Sequence, residues 1–388
     1  VKGILEQLHL NLGEDMTDKP GTINQTLNML IEIADQFKLS GEIVDLQQYG
    51  SGNINSTFLV TLDTEPPFIL QRLNTTVFCQ PELVMSNICV LSDYVCQRLE
   101  QFNLPSNRRW LMPQVLFTCA KQNHWIAEDN SFWRAMSFID NSQSFDTIQN
   151  IQHGYEIGYG LGMFHRLINN LPATQLADTL EGFHITSRYL QHYNQVIAVN
   201  KIESSPEISY CLKFISDRIN LAHVLENAQA SGKLELRIIH GDPKINNIMI
   251  DCSTKQAVAM IDLDTVKPGL IHYDIGDCLR SGCNALGEET DSWEKVTFEP
   301  ELAQAILRGY LEVAQFLTKH DYEYIYDSIR LLAFELGLRF FTDYLEGNVY
   351  FNVNHAEHNL ARALVQFKLT ESIEKQEQEI NQIIADLR

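Results

Sequence analysis

One polar run stands between apolar, strand-like flanks in this 388-residue chain: Ile238-Ile-His-Gly-Asp-Pro-Lys-Ile-Asn-Asn-Ile-Met-Ile-Asp251. It gathers His240, Asp242, Lys244 and Asn247 in a tight loop, more polarity than a packed domain buries without partners. Fifteen residues past Asn247, after a turn near Cys252 to Gln256, the apolar strand Ala257-Val-Ala-Met-Ile ends on Asp262. A hairpin over this stretch joins its two ends, so Asn247 and Asp262 can face one ion while Asp242 points into an adjoining cleft. An Asp, an Asn five residues on and a second Asp across a hairpin suit phosphoryl transfer from a nucleotide. One carboxylate accepts the hydroxyl proton, while an amide oxygen and a carboxylate hold Mg2+ against the phosphates. Lys244 can neutralise charge on the moving phosphoryl group.

Such a loop has to be positioned, and the pattern predicts how. A helix is expected over Ile23 to Phe37, then strands over Glu42 to Leu46, Thr57 to Leu62 and Phe68 to Leu73. Pro81 opens a helix with Val84, Ile88, Leu91, Val95 and Leu99 on one side, and Trp110 to Thr118 and Phe132 to Ile139 read as two further strands. From about Asn141 the texture is helical: Ile151 to Asn169, Ser205 to Ala230, and Pro300 onward with an interruption near Gly347. Leu236 to Val266 is the strand-rich exception. The expected organisation is α+β and bilobal. An antiparallel-sheet N-terminal lobe (1–140) binds nucleotide, a mainly helical C-terminal lobe (141–388) carries catalysis and substrate binding, and the two share a cleft.

The wording resembles the aminoglycoside phosphotransferase and choline kinase superfamily, relatives of protein kinases, through His240-x-Asp242-x-x-x-x-Asn247 and Ile261-Asp262. Longer blocks are similar to one subgroup, the N-acetylhexosamine 1-kinases. They are Phe68-Ile-Leu-Gln-Arg-Leu-Asn74, Trp133-Arg-Ala-Met-Ser-Phe-Ile139, Tyr273-Asp-Ile-Gly-Asp-Cys-Leu-Arg280 and Leu338 to Phe351. The resemblance runs from about residue 49 to 351. It implies a protein-kinase-like fold, ATP and Mg2+, with Asp242 as catalytic base, Lys244 beside the transferred group, and Asn247 and Asp262 as metal ligands. His240 would hold the loop through hydrogen bonds, the Met136 to Phe138 backbone would recognise adenine, and Arg339 and Tyr350 would meet a sugar together with Asp242.

The run Gly50-Ser51-Gly52-Asn53-Ile-Asn55 lies between two strands, where amides could cover phosphates. Taken alone it is an ordinary turn; with the downstream loops it reads as nucleotide-binding. The strand-three cation that related kinases direct at the phosphates falls on Gln71 or Arg72. Neighbouring strand residues face opposite ways, so the two cannot serve equally. Arg72 is preferred for its charge, with Glu82 as a conceivable helix partner. Asp264 is placed near the metal or a sugar hydroxyl, and Asp277 with Arg280 is expected as an ion pair at a helix start. His165, His184 and the other histidines lack ligand spacing and read as structural. Gly158-Tyr-Gly-Leu-Gly162 lies in a helical pattern and signals close helix packing, not a dinucleotide fingerprint. Leu369 to Arg388 reads as a solvated amphipathic helix.

Composition narrows the classes. With 29 Lys+Arg against 50 Asp+Glu the formal net charge is −21, which disfavours nucleic acid and anionic membranes as partners. No apolar stretch approaches the ~20 residues a membrane span needs. The start lacks the pattern of a signal peptide. The eight scattered cysteines read as reduced thiols, and the expected setting is cytoplasmic. Transfer to a sugar hydroxyl, the anomeric one of an N-acetylhexosamine or a related hexose, is the leading reading. The alternatives are an aminoglycoside, choline-like amine or other small alcohol as acceptor, or a kinase-like binding module without turnover. Oligomeric state is not legible.

Overall fold

The computed structural model describes residues 20–37, 40–50, 54–199 and 205–388, so Ser51, Gly52 and Asn53 of the glycine run lie outside the described residues. The chain divides into two units, residues 1–96 with 112–140 and residues 97–111 with 141–388.

In the first unit helix α1 (Pro20–Asp35) precedes strands β1 (Ile43–Gln48), β2 (Ser56–Leu62) and β3 (Phe68–Leu73). Helix α2 (Pro81–Gln101) follows, then β4 (Val115–Leu116), β5 (Trp125–Ile126) and β6 (Phe132–Ser137). The described strands pair antiparallel in the order β1-β2-β3-β6-β4, with β5 also on β6. Alternation fixes the two faces. Phe58, Val60, Phe68, Leu70, Trp133 and Ala135 form a core closed by Leu30, Ile33, Ala34 and Phe37. On the other face Thr57, Gln71 and Arg134 stand in one row across β2, β3 and β6. Trp110 to Thr118 forms less strand than its apolar character suggests. Pro113 supplies no ladder N–H, and only Val115–Leu116 pairs.

The second unit contains β7 (Ser142–Gln143), α3 (Ile151–Ile168), α4 (Thr186–Val199), α5 (Pro206–Asp217) and α6 (Val224–Ala230). Strands β8 (Arg237–Ile239), β9 (Ile248–Asp251), β10 (Ala257–Met260) and β11 (Lys267–Gly269) come next. The remainder is α7 (Ile271–Gly282), α8 (Pro300–Val313), α9 (Lys319–Glu323), α10 (Ile325–Leu345), α11 (His358–Lys375) and α12 (Glu377–Leu387). β9 pairs with β10 and β7, and β8 pairs with β11. The segment 97–111, grouped by the sequence reading with the first half, belongs here. Arg108 makes a two-pronged contact with Glu156 at 2.8 and 2.9 Å, and its guanidinium lies 3.7 Å above the Tyr159 ring. The Leu111 N–H donates to the Val258 carbonyl.

The glycines of α3 are packing sites. A Cβ at Gly158 would stand 1.8 Å from the Ile306 carbonyl oxygen of α8, and one at Gly162 2.8 Å from that of Tyr310. The stretch expected as one helix over 205–230 breaks at Arg218 into α5, a 3-10 turn (Ile219–His223) and α6. The last twenty residues are not a solvated helix. They break at Gln376 and bury Leu369, Ile373, Ile380 and Ile384, whose spacing lies under a Glu- and Gln-rich surface. All eight cysteines are free thiols. Among the described residues no helix is long and apolar enough to cross a membrane.

Candidate active site

The loop after β8 is tied down on every side. His240 is fully buried; its Nε2 donates to the Ile261 carbonyl at 2.9 Å, and its Nδ1 accepts from the Asp242 N–H at 3.3 Å. Each nitrogen thus has one role, and burial pushes the imidazole below its ordinary value, so the ring is neutral. The Asp274 carboxylate of α7 accepts from the His240 and Gly241 N–H groups at 2.6 and 2.8 Å and faces His165 Nε2 at 2.8 Å. Gly241 has φ +87° and an imagined Cβ would meet the Thr265 carbonyl oxygen at 2.6 Å, so only glycine fits the bend before Asp242.

Asp242 is half-buried, with Lys244 Nζ 3.0 Å from its Oδ2. Burial would raise its carboxyl, but the charges of Lys244, which also hydrogen-bonds to it, and of Arg280 outweigh that and hold it below the usual carboxylate value. Asn247 Nδ2 donates to the Asp242 carbonyl at 2.7 Å, which directs Oδ1, its hard-oxygen end, away from that contact. The Ile261 N–H donates to the Asn247 carbonyl at 2.9 Å, bringing the end of β10 beside Asn247. The next residue, Asp262, is exposed and left-handed, with φ 61° and ψ 59°, a conformation Asp tolerates better than most residues. Asp264, two residues on, is buried. Asp277 and Arg280 are paired at 2.8 Å, but in the middle of α7 and not at its start; the first-turn acid is Asp274.

Arg339 of α10 lies against aromatic rings, with its guanidinium carbon 5.3 Å from the Phe183 ring centre, 4.9 Å from Tyr189, 5.8 Å from Tyr350 and 5.4 Å from Phe351. Burial disfavours its charge, yet Tyr189, Tyr350, Glu335 and Asp242 more than offset it, so Arg339 stays cationic and feels the Asp242 carboxylate. Tyr350 is exposed, and Asp343 fixes its turn by accepting from the Val349, Tyr350 and Phe351 N–H groups at 2.8 to 3.0 Å.

In the first unit Arg72 points to the Trp133 side of the sheet, half exposed, with Asp129 3.6 Å away. Gln71 is on the other face, where its Oε1 accepts from Arg134 Nε at 2.9 Å and its Nε2 donates to Thr57 Oγ1 at 3.0 Å. Arg134 is 2 % exposed. Glu82 is an exposed acid in the first turn of α2. Met136 sits inside β6 between Ile69 and Val115, so its backbone is within the sheet, and Phe138 is beyond the strand, its ring 5.9 Å from that of Tyr49. Gly50 has φ +78° at the end of β1, and Asn55 Oδ1 accepts from the Asn74 N–H at 2.9 Å.

A family model described as the phosphotransferase enzyme family matches residues 45–322. The chain belongs to that family. Solved structures place the fold of this phosphotransferase with small-molecule kinases. An aminoglycoside phosphotransferase from Alicyclobacillus acidocaldarius is 15% identical, with TM-score 0.61 over 90% of this chain and 96% of that one. Choline kinase from Cryptosporidium parvum is 15% identical, with TM-score 0.58 over 92% and 97%. Amicoumacin kinase, in complex with AMP-PNP and Ca2+, is 13% identical, with TM-score 0.57 over 90% and 93%. The phosphotransferase thus has the protein-kinase-like α+β fold.

Its donor set fits a phosphate-bound Mg2+. Among the described residues no three His, Cys, Asp or Glu side chains gather as a cage. Asn247 and Asp262 offer one amide and one carboxylate oxygen, the sparse protein share Mg2+ takes when phosphates and water complete its shell. Sequence reasoning passed over Arg134, Glu335 and Asp343 and assigned Asp274 no task. A signal was present for two of them: Glu335, Arg339 and Asp343 recur every fourth residue in the otherwise apolar Leu331 to Leu345.

Proposed function

We propose that this phosphotransferase moves the γ-phosphoryl group of ATP to a hydroxyl of a neutral, sugar-like acceptor, with the anomeric hydroxyl of an N-acetylhexosamine as the leading candidate. The supporting observation is Arg339 among Phe183, Tyr189, Tyr350 and Phe351. Such rings could cage a ligand cation, but here they surround the protein's own guanidinium. A choline-like or polyamine acceptor at this place would meet a fixed positive charge. A neutral polyol or a carbonyl-bearing sugar would meet a hydrogen-bond donor fork and stacking faces.

Asp242 orients the acceptor hydroxyl and takes its proton; it is ionised at neutral pH because Lys244 and Arg280 keep its carboxyl low. Lys244 spreads the charge of the transferring group. Asn247 and Asp262 would hold Mg2+, which neutralises the phosphates when bound. In the first unit Arg134, beside Gln71, takes the phosphate-facing role earlier given to Arg72, with Gly50 opening the covering loop and the backbone at Phe138 reading adenine. The same reading favours a cytoplasmic ATP pool. The −21 net charge favours the second reading, a cationic acceptor, through long-range attraction.

An ATP-consumption screen over hexoses, N-acetylhexosamines, choline and aminoglycosides tests both readings, with NMR locating the new phosphate. Turnover of an N-acetylhexosamine, lowered by about 100-fold or more in Asp242→Asn, is the expected outcome. Turnover confined to choline or aminoglycosides overturns the acceptor assignment, and full activity of Asp242→Asn overturns the base.

A further inference from the structure

His184 and Glu335 lie outside every motif, yet both are buried and both are fully engaged. His184 Nε2 is 2.7 Å from the Gly241 carbonyl oxygen, which only accepts, so that nitrogen carries a proton. Its Nδ1 is 2.8 Å from Glu335 Oε1, while Glu335 Oε2 accepts from the Thr186 hydroxyl at 2.6 Å. A proton must lie between Nδ1 and Oε1, because two lone pairs at that distance repel. With Thr186 already donating to the carboxylate, an imidazolium–carboxylate pair fits the geometry best. Burial disfavours the charge on each, but each partner more than compensates the other.

The placement explains why such a pair is kept. The Gly241 carbonyl belongs to the peptide bond that begins Asp242, and the N–H of Gly241 is held by Asp274. His184 therefore grips one end of the residue before the base while Asp274 grips the other. His184 itself has φ +64°, a strained conformation for histidine, of the kind that persists where surrounding structure enforces it. Glu335 is one helical turn before Arg339 on α10, and its charge acts on that guanidinium. The other groups facing the pair include Tyr273, stacked on the imidazole at 5.4 Å, Asp277 on the same helix α7, Glu226 of α6, and Tyr189 of α4, which meets the Glu335 charge and the His184 backbone.

We propose that His184 and Glu335 are positioning residues that join the acceptor-side Arg339 to the Gly241 carbonyl and so set the orientation of Asp242. The proposal rests on Asp242 being the base, and the experiment separates the two. Glu335→Gln keeps shape and removes the charge; His184→Phe keeps the stack on Tyr273 and removes both hydrogen bonds. With ATP and N-acetylglucosamine, or the best-used member of the acceptor screen, kcat is expected to fall roughly ten- to hundredfold in both, with the KM for ATP within about twofold. In the full chain labelled with 15N-histidine, His184 is expected to show two ring N–H protons at neutral pH, a signature absent from His184→Phe and altered in Glu335→Gln.

A singly protonated His184 in the parent overturns the pair. A doubly protonated ring with kcat unchanged in Glu335→Gln overturns the positioning role and leaves Asp242 as base. Should His184→Phe not fold, Glu335→Gln and the parent spectrum decide. Full turnover by Asp242→Asn removes the functional reading instead.

Discussion

Asp274→Asn is the perturbation whose size the geometry constrains best. The wild-type carboxylate is wholly buried and accepts from two backbone N–H groups, with His165 Nε2 as its third neighbour. Asparagine has the same shape but one acceptor oxygen. Its better orientation keeps the oxygen on Oδ2's partners, His240 N–H and His165, and turns the amide NH2 toward the Gly241 N–H. One charge-assisted hydrogen bond, about 1.5–3 kcal/mol, is lost and a buried donor is left facing a donor. A total near 3 kcal/mol follows, within the ~3–5 kcal/mol for breaking a buried pair. Urea unfolding should show a lower midpoint at unchanged slope. Freed at its N–H, Gly241 lets Asp242 drift, and a displacement near 1 Å costs about 100-fold in kcat. Burial would raise the Asp274 carboxyl, but His165 and the backbone donors keep it below its ordinary value. Its contribution is therefore complete above the unfolded value of about 4 and lost as pH falls through the lower folded value. The stability gap between parent and variant should be constant from pH 5 to 8 and shrink only in strong acid. A variant within 0.5 kcal/mol (roughly the surface-substitution range) and with unchanged kcat refutes the argument.

Three further outcomes follow from packing and charge. Arg134→Met should raise the KM for ATP by about thirtyfold, the loss of a charge-assisted contact of about 2 kcal/mol, while Arg72→Met stays within about twofold; steady-state kinetics with varied ATP checks both. Gly158→Ala drives a methyl toward the Ile306 carbonyl and should cost more than about 2 kcal/mol, seen as a melting temperature several degrees lower. Burial, chiefly, pushes Glu226 up to about 7, so the folded protein holds a proton that the unfolded chain releases above its ordinary value of 4.5. Stability should fall as pH rises through that window, and Glu226→Gln should be the more stable protein at pH 8 by about 2 kcal/mol in urea titrations.

The hairpin that sets Asp262 beside Asn247 was legible because an apolar strand, a turn and a second apolar strand fix each other's ends. The antiparallel sheet was legible for the same reason, through alternation in Phe58, Val60, Phe68 and Leu70. The pairing of Arg134 with Gln71 was not: Arg134 comes from β6, and cross-strand register is invisible without knowing which strands neighbour. His184 was hidden differently. A histidine between a helix and a turn carries no spacing, and its partners are 57 and 151 residues away. The final helices misled because Glu and Gln dominate their composition, while the isoleucines beneath them decide burial.

Helix α10 also acts as a ruler. Glu335, Arg339 and Asp343 mark it at intervals of about 6 Å, so the graduation from base loop to Tyr350 turn is about 12 Å long. A rigid scale has a practical consequence for changing what the enzyme accepts. Deleting or inserting one residue between 335 and 343 rotates the marks by about 100° and misreads every distance. Residues 346–357 hang from the last mark, where Asp343 holds the Val349 to Phe351 backbone. With Arg339 and Tyr350 in the proposed acceptor role, altered acceptor range should be most accessible through that appended segment, whose length and side chains can vary while the calibration beneath it stays fixed.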